Sequence, residues 1–208
     1  MQNFAELEIN IKSIIDNLKG LCSTNGLSNT AGEEIVVTSV FLYKFLNDKF
    51  VYNLHKFAKE LGITYDELIA NKEDYMDAFY DTYPQDVAFA YEDTIDYLVQ
   101  SVSDKDFYKT FDDTLIRISS YPKNDAFNID TAEGTKKPLF TPLSTYVEPS
   151  KRNAFAQNIF SYITRDRFDF GIVNEGNYDF FSTIFEYLIS DYNVASGKYA
   201  EYFTPQAL

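Results

Sequence analysis

The sequence has no tryptophan, one cysteine and one histidine in 208 residues, and only 8 glycines and 6 prolines. Each shortage excludes something. With Cys22 alone no internal disulfide can form, which suits a reducing cytoplasm, and the thiol reads as a small buried apolar group. One histidine and one cysteine cannot build a His/Cys metal site, and neither HExxH nor CxxC occurs. His55, on a helical segment, reads as an ordinary surface or core side chain rather than a ligand or base. No apolar run approaches the ~20 residues that span a bilayer, so no membrane partner is expected. The opening MQNFAELEINIK has no basic region followed by an apolar stretch, so no signal peptide is expected. GxSxG, P-loop and GxGxxG stretches are all missing. The "DFG" at Asp169–Gly171 lacks the glycine-rich loop, VAIK lysine and HRD loop of a kinase and is read as chance. The acidic pairs Asp112–Asp113, Glu92–Asp93 and Glu73–Asp74 lack the glycine-turned loop that calcium needs. No catalytic or metal-binding set emerges from the residues themselves.

What is plentiful is aromatic and acidic. There are 19 phenylalanines and 17 tyrosines, so the core and its edges should be heavily aromatic. The net charge of −14 is concentrated in residues 60–120, which carry fifteen acidic and four basic side chains. Residues 1–59 are neutral overall, 121–170 are net +1 and 171–208 are net −4. This balance opposes free, non-specific nucleic-acid binding, which needs clustered Lys and Arg on phosphates. The best candidate DNA-facing residues are therefore Lys136, Lys137, Lys151, Arg152, Arg165 and Arg167, all inside 121–170.

Periodicity points to a mainly α fold, a multi-helix bundle with an irregular, proline-containing insertion. Phe4, Leu7, Ile11, Ile14, Leu18 and Leu21 form one helical stripe, which suits either a partner surface or internal packing. Gly20 interrupts the stripe near its end, and STNGLSNTAG (23–32) reads as a linker. Residues 33–50 are expected to be a central helix, with Glu33 and Glu34 at its start and Lys49 near its end; Ile35 to Leu46 is apolar on nearly every side apart from Thr38, Ser39 and Lys44, and its length favours helix over a buried strand. A capping box at Thr64 and Glu67 opens the next helix, 63–83, which Pro84 ends or kinks. Ile95, Leu98, Val99 and Val102 make a further helical face, as do Phe107, Phe111, Leu115 and Ile118, with the acidic side chains mostly on a solvated exterior. Pro122, Gly134, Pro138, Pro142 and Pro149 break periodicity over 121–149, leaving at most short strands around KKPLFTPL. Helical spacing resumes at Phe155, Ile159 and Ile163, and again at Phe181, Ile184, Phe185, Leu188, Ile189 and Tyr192. Thr204–Pro205 then reads as a helix start, from which the chain is expected to be the front piece of a longer protein.

Two stretches carry a family resemblance. EEIVVTSVFLYKFLNDKF (33–50) resembles the early helix of the methylation subunit of type I restriction-modification systems, where an apolar run leads into a Phe/Leu-Lys-Phe/Tyr-Leu-Asn/Ser-Asp signature. FSTIFEYLISDYNVASGKYAEYFTPQAL (181–208) resembles the junction between that subunit's helical N-terminal domain and its methyltransferase domain. Glu186-Tyr187-Leu188-Ile189, Gly197 and Glu201-Tyr202-Phe203-Thr204-Pro205 fall in the family's order. Together the stretches cover about a quarter of the chain.

The resemblance implies a helical interaction domain over 1–195 and the start of an S-adenosyl-L-methionine-dependent adenine-N6 DNA methyltransferase domain over 196–208. It assigns Glu201, Tyr202, Phe203, Thr204, Pro205 and Gln206 to the cofactor site, where a helix N-terminus suits the methionine carboxylate. It implies as partners a DNA specificity subunit, a restriction subunit, a second methylation subunit and double-stranded DNA. The family's glycine-rich loop and catalytic Asn-Pro-Pro-Phe/Tyr, which would hold a flipped adenine, do not occur in these 208 residues. Residues 1–208 alone are thus expected to be inactive. Two other readings stay open: a stand-alone acidic helical protein that mimics DNA, motivated by the charge of 60–120, and a single-chain methyltransferase with its own recognition domain.

Overall fold

The computed structural model describes residues 4–127, 129–130 and 136–164. Seven α-helices lie among them: α1 Phe4–Thr24, α2 Ala31–Leu61, α3 Tyr65–Ala70, α4 Lys72–Thr82, α5 Ile95–Leu98, α6 Phe107–Ser120 and α7 Arg152–Ile163. Short 3-10 turns and a minimal antiparallel pair, β1 Ile129–Asp130 with β2 Lys136–Lys137, complete them. The fold is mainly α, as the periodicity implied. Among the described residues no helix is long and apolar enough to cross a membrane.

The longest helix organises the rest. Thr30 caps α2 by accepting from the Glu33 N–H, and Glu33 and Glu34 complement the dipole in the first turn. The expected end near Lys49 is wrong: α2 runs on to Leu61, because Phe50, Leu54, Phe57 and Ala58 continue the buried stripe. Its true stop is Gly62, which takes a left-handed φ of 73°, while the Gly62 and Ile63 N–H groups close back on Lys59 and Ala58. At 31 residues, α2 is about 46 Å long.

The helix expected over 63–83 exists but is broken. Thr64 and Glu67 form the reciprocal capping box. Asn71 then interrupts the chain, its side-chain amide donating to the Glu67 carbonyl, so α3 and α4 are separate. Helix α4 stops two residues before Pro84, as that proline requires. On α1, Gly20 interrupts nothing, and Ile14, Ile15, Leu18 and Cys22 are buried where α1 packs on α2 and α7. That half of the stripe is internal packing.

The core is a relay of rings. Phe79 of α4 meets Phe50 of α2 edge-on at 5.5 Å, and Phe50 lies 5.7 Å from Phe89. Tyr43 stacks at 6.1 Å on Phe89 and meets Phe111 of α6 at 5.4 Å. Phe111 and Phe107 in turn both meet Phe160 of α7 edge-on. Such pairs add roughly 0.5–1.5 kcal/mol each beyond the area they bury.

The irregular 121–149 region is fastened by polar side chains. Asn124, fully buried, accepts from the Ala88 N–H at 2.6 Å and donates to the carbonyls of Ala88 and Ile118. Ser119 accepts from the Phe140 N–H, and Asp112 accepts from the N–H groups of Leu143 and Ser144 at 2.8 and 3.2 Å. Phe140, Leu143 and Val147 can therefore turn inward without stranding their backbone donors.

Burial raises the Asp112 carboxyl above the ordinary aspartate value, outweighing the hydrogen bonds from Ser144 and Leu143. A raised folded-state pKa means the native state holds the proton more tightly than the unfolded chain. This group's contribution therefore declines as pH rises from about 4 through its folded pKa. Asp112→Asn keeps the acceptor oxygen and removes the charge. Thermal unfolding should show this variant at least as stable as wild type at pH 7, with a shallower loss of Tm between pH 4 and 7; a large drop at pH 7 would contradict this role.

Candidate functional site

The signature of the resemblance falls on Tyr43-Lys44-Phe45-Leu46-Asn47-Asp48 in the middle of α2, with Tyr43 where the family has Phe or Leu, and its polar side chains are buried and bonded to one another. Lys44 is 7% and Asp48 6% exposed, and the Lys44 ammonium sits 2.6–2.7 Å from both Asp48 oxygens. Asn47 donates to Asp48 at 2.8 Å, and its own oxygen accepts from the Ile95 N–H, a free donor in the first turn of α5. Tyr43 donates to the Asp93 carbonyl at 2.7 Å. One turn of α2 thus grips residues 93–95 at two points.

Asp93 lies behind that grip, wholly buried. Arg117 of α6 reaches its Oδ1 at 2.6–2.7 Å, and the Tyr121 hydroxyl and the Ala90 N–H donate to its Oδ2 at 2.7 and 2.8 Å. Burial, with the charge of Asp93 next in importance, raises the Tyr43 phenol well above its ordinary value and keeps it a donor.

Asp93 and Asp112 are the residues that sequence reasoning missed. Both lie in the acidic segment 60–120, where most of the fifteen acidic side chains are exposed as expected. Nothing local marks Asp93 as buried, because its cation and its phenol come from positions 117 and 121. Lys44 could have been found: a lysine on an apolar helix with an aspartate at i+4 is the pattern of a buried pair.

The expected DNA-facing residues fall on different elements. Lys136 and Lys137 form β2, in register with Asp130 and Ile129 of β1. Lys151 is exposed at the turn into α7, 3.9 Å from Glu148, and Arg152 begins that helix half-buried near the Val147 carbonyl. Arg165, Arg167, the 181–192 helix, the "DFG" stretch, the 196–208 domain start and the cofactor segment Glu201–Gln206 lie outside the described residues. Cys22 is a buried thiol, pushed up to about 12 by burial and the charge of Glu33. His55 is exposed, its ring stacked 4.1 Å from that of Tyr65. No group of three or more metal-ligating side chains occurs among the described residues.

Comparison with protein-family models, with curated proteins and with solved structures finds no match for this chain.

Removing one partner of a buried ion pair leaves a charge without its counter-ion, at a cost of about 3–5 kcal/mol, whereas replacing both with apolar groups of similar size is often neutral. Urea unfolding should therefore show Lys44→Ala strongly destabilised. The double variant Lys44→Met, Asp48→Leu should recover most of the loss. Equal losses in the single and the double variant would show that the pair is not what holds this turn.

Proposed function

We propose that this chain is the N-terminal helical interaction domain of the DNA adenine-N6 methyltransferase subunit of a type I restriction-modification system, acting in the cytoplasm. In this reading a specificity subunit chooses the DNA sequence, a restriction subunit joins for cleavage, and a second methylation subunit helps close the assembly on double-stranded DNA. S-adenosyl-L-methionine supplies the methyl group, and Glu201 to Gln206 contribute to holding it.

The observation that carries the reading is the burial of the signature's polar letters. An accidental match on a helix would put Lys44, Asn47 and Asp48 on a solvated face, where almost any polar residue serves. Here they are internal, mutually bonded and tied to Ile95, so that each letter has a physical reason to be what it is. The order of the two matched stretches in the chain adds to this. Lys136, Lys137, Lys151 and Arg152, with Arg165 and Arg167, are the residues that would face DNA. The alternative, a DNA mimic, would draw on the acidic side chains of 60–120 that are exposed, to which Asp93 and Asp112 do not contribute.

The whole gene, expressed with its specificity subunit in a host free of adenine methylation, should produce N6-methyladenine at one recurrent sequence, mapped by single-molecule sequencing. Residues 1–208 alone should show no calorimetric binding of S-adenosylmethionine. Absence of methylation from the whole assembly, or tight cofactor binding by 1–208, would contradict the proposal.

A further inference from the structure

The link from α1 to α2 contains a pair of neighbours with chemistry of their own. Asn25–Gly26 is the one place in the sequence where asparagine precedes glycine. An asparagine loses its amide without any enzyme when the backbone nitrogen of the next residue attacks its side-chain carbonyl carbon. Glycine, which has no Cβ, hinders that approach least. This reactivity places asparagine among the thermolabile residues.

Both reacting groups are held by the closure of α1. Gly26 takes a φ of 82°. The Leu27 N–H donates to the Cys22 carbonyl at 2.9 Å and the Gly26 N–H to the Ser23 carbonyl at 3.0 Å. These are the two bonds of a Schellman stop with Asn25 as its cap, and Cys22 and Leu27 on either side of it are buried. The nitrogen that would attack is therefore engaged through the very proton it must shed. The Asn25 side chain is engaged too, its amide donating to the Leu21 carbonyl at 2.8 Å. Beyond the stop, the Thr30 hydroxyl and N–H both donate to the Leu27 carbonyl, at 2.7 and 3.1 Å, which ties the cap of α2 to the end of α1. Gly26 is exposed, so water reaches the pair, and these bonds are what restrain it.

We propose that Asn25 is a self-modifying site that the closed end of α1 holds in check and that opening of this one turn releases. On opening, the Gly26 nitrogen bonds to Asn25 Cγ, the Cγ–Nδ2 bond breaks, and ammonia leaves with the proton that the nitrogen gave up. Water then opens the cyclic imide at either carbonyl and leaves aspartate or isoaspartate, so one water is consumed for one ammonia released and nothing is oxidised or reduced. Isoaspartate routes the backbone through the side-chain carbon, and the added atom shifts Leu27 out of register with Cys22. Either product sets a carboxylate at the negative end of the α1 dipole. The step is one-way, so a chain whose α1–α2 joint has opened keeps a weaker joint. The site does not depend on the methyltransferase reading.

Peptide mapping by mass spectrometry would follow conversion of Asn25 at pH 8 and 37 °C, in the folded 208-residue chain and in a synthetic peptide of residues 23–30 that serves as the unrestrained reference. The peptide is expected to convert, and the folded chain to do so at least about tenfold more slowly. Leu27→Ala, which removes the buried side chain at the closure, should speed conversion in the chain by about fivefold or more. Leu68→Ala, the same truncation at a buried position of α3, should speed it far less. Circular dichroism checks that both variants fold, and the comparison of wild type with peptide decides the matter if Leu27→Ala does not. Equal rates in chain and peptide would overturn the proposal, as would a peptide that stays unmodified. Equal acceleration by the two folded variants would assign the reaction to global unfolding and overturn it too.

Discussion

The carboxylate of Asp93 is the point through which the described structure is joined. It is sealed from solvent, and a buried carboxylate is tolerable only when charge and hydrogen bonds compensate its lost hydration. Arg117 supplies the charge, and Tyr121 and the Ala90 N–H supply donors, while the residue's own carbonyl receives Tyr43. Helix α2, the 88–98 segment, helix α6 and the entry to the insertion must all be in place for that set to exist. The ring relay from Phe79 to Phe160 crosses the same place, through Tyr43 and Phe111. Apolar packing gives the core its size, and the directional bonds to Asp93 fix which elements face each other there.

This division of labour bears on function. The resembling residues at 43–48 are internal and bonded to one another and to the 93–95 segment. They are the turn of α2 that holds Asp93 and Ile95 in position, and the surface is left to other residues. Such an arrangement suits an interaction domain, in which a rigid interior presents faces to neighbouring molecules. It also accounts for a chain rich in acidic side chains that presents no catalytic constellation among its described residues.

Much of the helical layout was legible because periodic apolar residues report a buried face directly. Phe107, Phe111, Leu115 and Ile118 on α6, and Phe155, Ile159 and Ile163 on α7, are all internal. So were the capping box at Thr64 and the break-up of 121–149, where prolines act through local sterics. The errors came from interactions that local sequence does not encode. Helix α2 outran its expected end because a lysine near position 49 is only a weak preference, whereas Gly62 meets a steric demand for positive φ. Asn71 split a helix through a side-chain bond that competes with the backbone. The burial of Asp93 and Asp112 depends on partners more than twenty residues away. The cofactor segment was legible only through resemblance, since YFTP by itself is also an ordinary capped helix start.

The central claim, that a domain gripped by this signature turn serves an adenine methyltransferase, meets its most direct test in the native coding region beyond codon 208. Expected there is an open frame encoding a glycine-rich loop and then Asn-Pro-Pro-Phe or Asn-Pro-Pro-Tyr, with Thr204–Pro205 at the threshold of the cofactor site. A stop codon at that point, or a continuing frame without either motif, would contradict it.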